Sequence, residues 1–313
     1  MLSFIVRRIL AGIVLVFVIS TVTFLLIYST ASDVARNILG ESATAEQVVA
    51  KTAELGLDRP LLAQYLSWLT DAVRGDFGAS WFTSEPVSQM VANRLPVTLS
   101  MVILAVVVTA IISAVLGVTA AVRGGAVDRL LQFVSVAGFA LPNFWVALML
   151  VIVFALNLKL LPATGYVPFE VDALAWASSL VLPVTALVIG GIASAAQQIR
   201  GAFIDVLELD YVRTLQAGGL SRRSVLLRHV LRNAAPPALT VLSLQFIGLL
   251  GGAVVIERIF AIPGLGTLTV NSSIQGDIPA IMGIVVALVI VVVIVNLLID
   301  LANGWINPKA RLQ

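Results

Sequence analysis

The sequence contains no cysteine and a single histidine, His229. The first absence excludes a disulfide, a thiolate-ligated metal and a redox dithiol. The second excludes a metal site built from several histidines of this chain. Charge is also scarce: 12% of the 313 residues are Asp, Glu, Lys or Arg, where soluble domains carry about 25%. Lysine occurs only as Lys51, Lys159 and Lys309, and none of them follows a glycine. A phosphate-cradling loop of the Gly-Lys-Ser/Thr kind is therefore missing, and no nucleotide site of that kind is expected.

Apolar residues fill the space that charge leaves. They make up 59% of the chain, with a mean hydropathy of +1.05. A soluble fold cannot hide so much apolar surface, so the expected class is an all-α polytopic membrane protein. A membrane span needs about 20 mostly apolar residues. Six stretches qualify, at about Ile9–Ile27, Val97–Val122, Leu130–Leu158, Ser179–Ile199, Ala238–Ile256 and Ala280–Leu301. Asp300 is the exception to their lack of charge, in the last turn of the sixth. The first run follows Arg7 and Arg8 but exceeds the roughly 7–15 apolar residues of a leader peptide. It reads as a retained anchor.

Positive charges set orientation, because short cytoplasmic loops are enriched in Lys and Arg. With the N-terminus inside, the cytoplasmic side holds Arg7, Arg8, Arg123, Arg129, Arg200, Arg213, Arg222, Arg223, Arg228, Arg232, Lys309 and Arg311. The outer side holds Arg36, Lys51, Arg59, Arg74, Arg94, Lys159 and Arg258, mostly in one long loop where the rule is weak. The expectation is six transmembrane helices, N-in and C-in. Residues 1–94 form an anchor helix and external loop. Residues 95–313 form a five-span core with a cytoplasmic loop at about 200–237.

Thr44 and Gln47 have capping-box spacing for a helix to about Leu55, with Gly56 as its stop. Pro60 opens a second helix with Leu61, Leu62, Tyr65, Leu66, Leu69 and Val73 on one face, ended by Gly75. Trp68, Phe77, Trp81 and Phe82 suit a membrane boundary. This loop is either a surface for an external partner or a lid over helix ends. Pro142 and Pro183 fall inside the third and fourth spans as expected kinks. In the fifth span, which starts after Pro236-Pro237, Gly248 and Gly252 allow a close helix approach, within the chain or to a partner.

The spans offer no paired carboxylates, no Lys and no His, the groups on which ion-coupled carriers usually rely. They offer neutral polar groups instead: Gln132, Asn143, Gln197, Gln198, Ser243 and Gln245. Such a pathway passes a solute without an energy source of its own. The basic loop is the place where energy can enter. Asp210 reads as an N-cap, Gly218-Gly219 as a stop and Ser221 as the next N-cap. Leu226, Leu227, Val230 and Leu231 share one side of the second helix, with Arg228 and Arg232 opposite. Arginines alone satisfy the positive-inside rule; the helix–glycine–helix punctuation exceeds it and points to docking of a soluble partner.

These residues resemble the inner-membrane permease subunits of ABC importers, in the dipeptide/oligopeptide/nickel branch. The resemblance covers nearly the whole chain. Leu55-Gly56-Leu57-Asp58-Arg59-Pro60, Gln64-Tyr65 and Arg74-Gly75-Asp76-Phe77-Gly78 are similar to that branch's external segment. Asp210, Tyr211, Arg213, Thr214, Ala217, Gly219, Leu220, Arg228, His229, Arg232 and Asn233 fall on its ATPase-coupling EAA loop, with Val212, Leu231 and Pro237. Gly251-Gly252-Ala253-Val254-Val255, Glu257, Ile259-Phe260 and Pro263-Gly264-Leu265-Gly266 resemble the region after the fifth span. Asn296-Leu297-Leu298-Ile299-Asp300 and Asn307-Pro308-Lys309 resemble its end. Leu215 stands where the pattern has a small Ala, and Gly218 where a side chain is common.

The resemblance implies a non-enzymatic pathway subunit of an importer for di- or oligopeptides, located in the bacterial inner membrane. It implies four kinds of partner: a second homologous permease forming a heterodimer, two cytoplasmic ATPases, an external solute-binding lipoprotein and membrane lipid. Nucleic acid is not among them. The chain itself would hold no cofactor; ATP and Mg would be bound by the ATPases. The alternatives are an ABC permease for nickel, glutathione or another small solute, and a self-sufficient secondary carrier or channel.

Overall fold

The computed structural model describes residues 2–28 and 34–306. Asn307, Pro308, Lys309 and Arg311 lie outside the described residues. In chain order the helices are α1 (Leu2–Tyr28), α2 (Val34–Leu39), α3 (Ala45–Glu54), α4 (Leu61–Val73) and α5 (Val87–Arg123). Then follow α6 (Gly125–Ala140), α7 (Asn143–Leu150) with a π-helical turn Val151–Asn157, and α8 (Ala173–Leu207). The remainder is α9 (Asp210–Ala217), α10 (Arg222–Ser224) with a π-helical turn Val225–Val230, α11 (Leu231–Ile259), α12 (Leu265–Gln275) and α13 (Ile278–Ile306). No strand occurs among the described residues, as expected of an all-α chain.

By length and composition α1, α5, α8, α11 and α13 can each cross a membrane, and α6 with α7 makes a sixth, bent candidate. That bend corrects the reading of residues 130–158 as one kinked span. The chain turns by 90° between α6 and the Asn143–Asn157 segment. Leu141 precedes a proline, is pushed out of the helical region, and sits extended at φ −89°, ψ 117°. Pro142 then stands at the N-cap of α7, not inside a helix. Pro183, packed on all sides, leaves α8 continuous. Pro236 and Pro237 likewise lie inside α11, so the fifth span does not start after them. The carbonyls that their nitrogens leave unserved belong to Arg232 and Asn233, both exposed.

The described chain divides into two compact units. The first comprises residues 98–262 with the end of α13, and α8 is its central helix. Sixty-one per cent of the most apolar window of α8 is buried, against 17% for α1. Gly117 of α5 lies directly on it: a Cβ there would stand 2.7 Å from the Ala196 carbonyl oxygen. Gly138 of α6 lies similarly close to Ala193. Arg200 of α8 forms a two-pronged ion pair with Asp128 of α6, with Nη2 2.6 Å from Oδ2. Glu257 is fully buried and its Oε1 accepts from Thr98 Oγ1 at 2.6 Å. A buried carboxylate needs such donors, because desolvation without them is costly.

The second unit comprises residues 2–97 and 263–294. Thr44 and Gln47 cap α3 reciprocally, as the spacing predicts. Gly56 and Gly75 adopt φ of +69° and +84° after α3 and α4. The packed face of α4 differs from the expected one. Tyr65 and Trp68 face Phe24, Ile278 and Met282, while Leu62, Leu66 and Val73 stay exposed. Trp68 and Trp81 thus pack, partly buried, against a core. Tyr65 also shares a 2.6 Å hydrogen bond with Thr21, which fixes α4 to α1. Asp277 is buried and bonded by Ser80 Oγ at 2.5 Å and Trp81 N–H at 3.2 Å.

Candidate functional site

The polar segment after α8 folds as helix, glycine turn, helix. Leu209 is extended, at φ −67° and ψ 141°, and is the N-cap of α9. Asp210 therefore lies inside the first turn and is not the cap. There its charge meets the positive end of the helix dipole, and it stands 3.6 Å from Arg213, with both side chains exposed. Thr214 Oγ1 donates to the Asp210 carbonyl at 3.0 Å. Two hydrogen bonds close α9: Leu220 N–H to Leu215 O at 3.3 Å and Gly219 N–H to Gln216 O at 3.1 Å. This pair is a Schellman motif, which needs a left-handed residue after the cap. Gly219 supplies it at φ +82°. Ser221 caps the next helix as expected, its Oγ accepting from Ser224 N–H.

The second helix departs from its α-helical pattern. Residues Val225–Val230 form a π-helical turn, whose i→i+5 bonding puts residues five apart in one row. Val225 and Val230 are buried, with Ala234 following, while Leu227 and Leu231 are 57% and 44% exposed. The packed row meets Val212 of α9 and Ile199, Phe203 and Val206 of α8. The loop thus has an apolar core of its own, anchored on the end of α8.

Polar contacts complete it. Asn233 Nδ2 donates to Tyr211 OH at 2.9 Å and to the His229 carbonyl at 3.0 Å. Arg222 Nη2 donates to the Val122 carbonyl at 2.8 Å in the last turn of α5. Arg232 Nε donates to the Ile306 carbonyl at 3.3 Å. Arg222 thereby serves a helix-end carbonyl that lacks a partner within its helix. Arg213, Arg228, Ala217, Gly219 and Leu220 are exposed. Sequence reasoning missed Val212 as an anchor and Arg222 as a tie. Val212 was legible as the one aliphatic residue between Tyr211 and Arg213; the reach of Arg222 to residue 122 had no local signal.

The polar groups of the spans separate into two sets. Gln132 bonds Asp128, and Ser243 bonds Asn296 at 2.5 Å. Gln198 Nε2 donates to Ser194 Oγ, which together with Asn143 and Gln245 lines a hollow of about 330 Å³. Of the small-residue pair, Gly252 packs on Leu187 while Gly248 borders the hollow.

Residues 113–312 match the family described as binding-protein-dependent transport system inner membrane component. Residues 1–102 match the N-terminal model of such membrane components. A Brucella abortus (strain 2308) protein, named for a peptide transport system permease, is 38% identical over 312 residues, with 99% of each chain covered. A Sinorhizobium fredii protein named for a peptide ABC transporter permease is 37% identical over 309 residues, 98% of this chain and 99% of its relative. The glutathione transport system permease protein GsiC of Escherichia coli (strain K12) is 36% identical over 312 residues, 99% of each. The fold is similar to a chain of the MetNI methionine ABC transporter in an inward-facing conformation. The TM-score is 0.56 at 16% identity, over 72% of this chain and 100% of the other.

Proposed function

The chain belongs to the family of binding-protein-dependent transport system inner membrane components, the multi-pass permease subunits of ABC transporters, and from that premise we propose that it imports di- or oligopeptides. The names of the Brucella and Sinorhizobium relatives support the solute class. The glutathione permease relative supports a second reading within the same class of transporter. Under both, the N- and C-termini face the cytoplasm, following the arginine distribution. The partners are a second, related permease, an external binding lipoprotein and two ATPases that supply the ATP site this sequence lacks.

The observation that carries the reading is a shared rod. A continuous helical stretch, Arg222–Ile259, holds Arg228, His229, Arg232 and Asn233 at one end and Gln245 and Gly248 at the hollow. Asp210, Tyr211, Arg213, Thr214, Ala217, Gly219 and Leu220 stand beside its start, held by the Tyr211–Asn233 bond. A push by an ATPase on this surface is transmitted along a helix instead of being lost in a flexible loop. The test is reconstitution with the three kinds of protein partner in liposomes. ATP-dependent accumulation of labelled peptide supports the proposal. Uptake by this chain without ATPases overturns it in favour of a carrier or channel.

A further inference from the structure

The hollow beside the Pro142 break has a definite chemistry. Three helices contribute one neutral hydrogen-bonding side chain each: Asn143 from α7, Ser194 from α8 and Gln245 from α11. Among the described residues no charged one lines it. Its volume, about 330 Å³, falls within the range of small-molecule sites. Gly190 and Gly191 of α8 lie between the two carboxamides. A methyl group on Gly190 would stand 3.4 Å from Asn143 Oδ1, and one on Gly191 would stand 3.4 Å from Gln245 Oε1. The missing side chains leave bare backbone that a ligand can approach closely. Behind Gly191, Thr109 Oγ1 is buried and has no hydrogen-bond partner among the described residues.

Polar groups set in an apolar bundle carry a free-energy cost unless something bonds to them. Gln245 Nε2 reaches the Gly191 carbonyl at only 3.4 Å, long for a hydrogen bond. A carboxamide both donates and accepts, which matches a secondary amide, itself one N–H and one C=O. An ionised group would enter this space with no counter-charge among the described residues that line it. We propose that the hollow is a solute-contact site that takes the neutral amide backbone of a peptide, and that Asn143 and Gln245 set its preference against ionised side chains. The proposal rests on the peptide-permease reading and adds to it a place and a selectivity.

The test uses the complete reconstituted transporter and three labelled tripeptides of equal length: one with uncharged side chains only, one carrying lysine, one carrying glutamate. N143D and Q245E each place one negative charge at nearly constant shape. Each is expected to lower import of the glutamate peptide relative to the lysine peptide by about tenfold, the scale of a like-charge repulsion at close range in a water-accessible site. Because the chain has no cysteine of its own, S194C gives a single reactive site within this chain, and its modification is read on this chain after separation from its partners. The tripeptide with uncharged side chains, at saturation, is expected to slow its modification by a small thiosulfonate about fivefold or more, as expected of direct occlusion. Wild-type import ratios in both charged variants, or S194C modification that peptide does not slow, overturns the site while peptide import stands. Failure of the unmodified transporter to import any of the three overturns the peptide reading itself.

Discussion

Asn233 Nδ2 donates to the phenol oxygen of Tyr211 at 2.9 Å, joining the helix that ends at Gly218 to the rod that becomes α11. The same nitrogen reaches the His229 carbonyl at 3.0 Å, so the amide is oriented before it meets the phenol. Tyr211→Phe keeps the ring and removes only this tie. One such bond contributes about 1 kcal/mol, a factor of about five in a local opening equilibrium. Backbone amides of residues 210–217 are expected to exchange about fivefold faster in Tyr211→Phe, with exchange in α8 unchanged. Unchanged exchange in α9 removes the bond from the account of how the loop is held.

Gly117 and Gly201 make a matched pair. A Cβ on Gly117 meets the Ala196 carbonyl at 2.7 Å and the Arg200 nitrogen at 3.1 Å, both backbone atoms that cannot swing aside. A Cβ on Gly201 meets no atom of the described residues within 4 Å. Gly117→Ala is expected to cost about 1–3 kcal/mol, as overpacking does. Gly201→Ala is expected to be neutral or to stabilise by up to about 1 kcal/mol, through helix propensity. Melting of the purified protein in detergent compares the two, and equal melting temperatures contradict the close α5–α8 approach.

The Asp128–Arg200 pair is partly enclosed, at 17% and 21% side-chain exposure. Its worth lies between the near zero of a surface pair and the 3–5 kcal/mol lost when one member of a buried pair is removed. Asp128→Ala is therefore expected to destabilise by about 1–3 kcal/mol. Arg200→Ala should cost a similar amount, and the double variant less than the sum. Additive losses in thermal unfolding mean that the two side chains contribute independently, against the two-pronged geometry.

Much of this fold was legible because its signals are local. Helix caps and stops at Thr44, Gln47, Gly56, Gly75, Gly219 and Ser221 depend on neighbours within a few residues, and the structure places them as read. The five apolar rods follow from composition. The departures need long-range information. At Pro142 the extended Leu141 became a right-angle break, while Pro183, Pro236 and Pro237 stayed inside helices whose neighbours supply the packing. In the loop, the π turn brought Val225 into the packed row beside Val230 and Leu226, as read, and left Leu227 and Leu231 exposed. Residue identities alone do not distinguish a π turn from an α turn. That Asn143 and Gln245 line one hollow depends on the packing of α7, α8 and α11, which sequence spacing does not encode.

Orientation is tested at Gln216, exposed near the end of α9. Gln216→Cys adds the only thiol in the chain. With the termini inside, a membrane-impermeant maleimide is expected to label it in inverted vesicles or permeabilised cells and not in intact cells. Labelling of intact cells reverses the orientation and moves the basic loop away from any cytoplasmic ATPase.

Gly219 separates the folding of the loop from its proposed contact with a partner. Its φ of +82° is a conformation that asparagine and aspartate tolerate better than other side chains. A Cβ there meets no atom of the described residues within 4 Å, so the cost of a side chain is conformational and not steric. Gly219→Asn and Gly219→Asp are nearly equal in shape and in backbone preference; they differ by one charge. If the turn stands free in solvent, the two variants should behave alike, each carrying only the modest penalty of leaving glycine. If an ATPase closes over the turn, the aspartate charge is desolvated there without a counter-charge, at a cost of several kcal/mol. The expected result is equal membrane abundance, near-normal ATP-driven uptake for Gly219→Asn, and uptake reduced at least about tenfold for Gly219→Asp, with weaker ATPase co-purification. Equal uptake and equal ATPase retention in the two variants place the docking surface elsewhere than this turn.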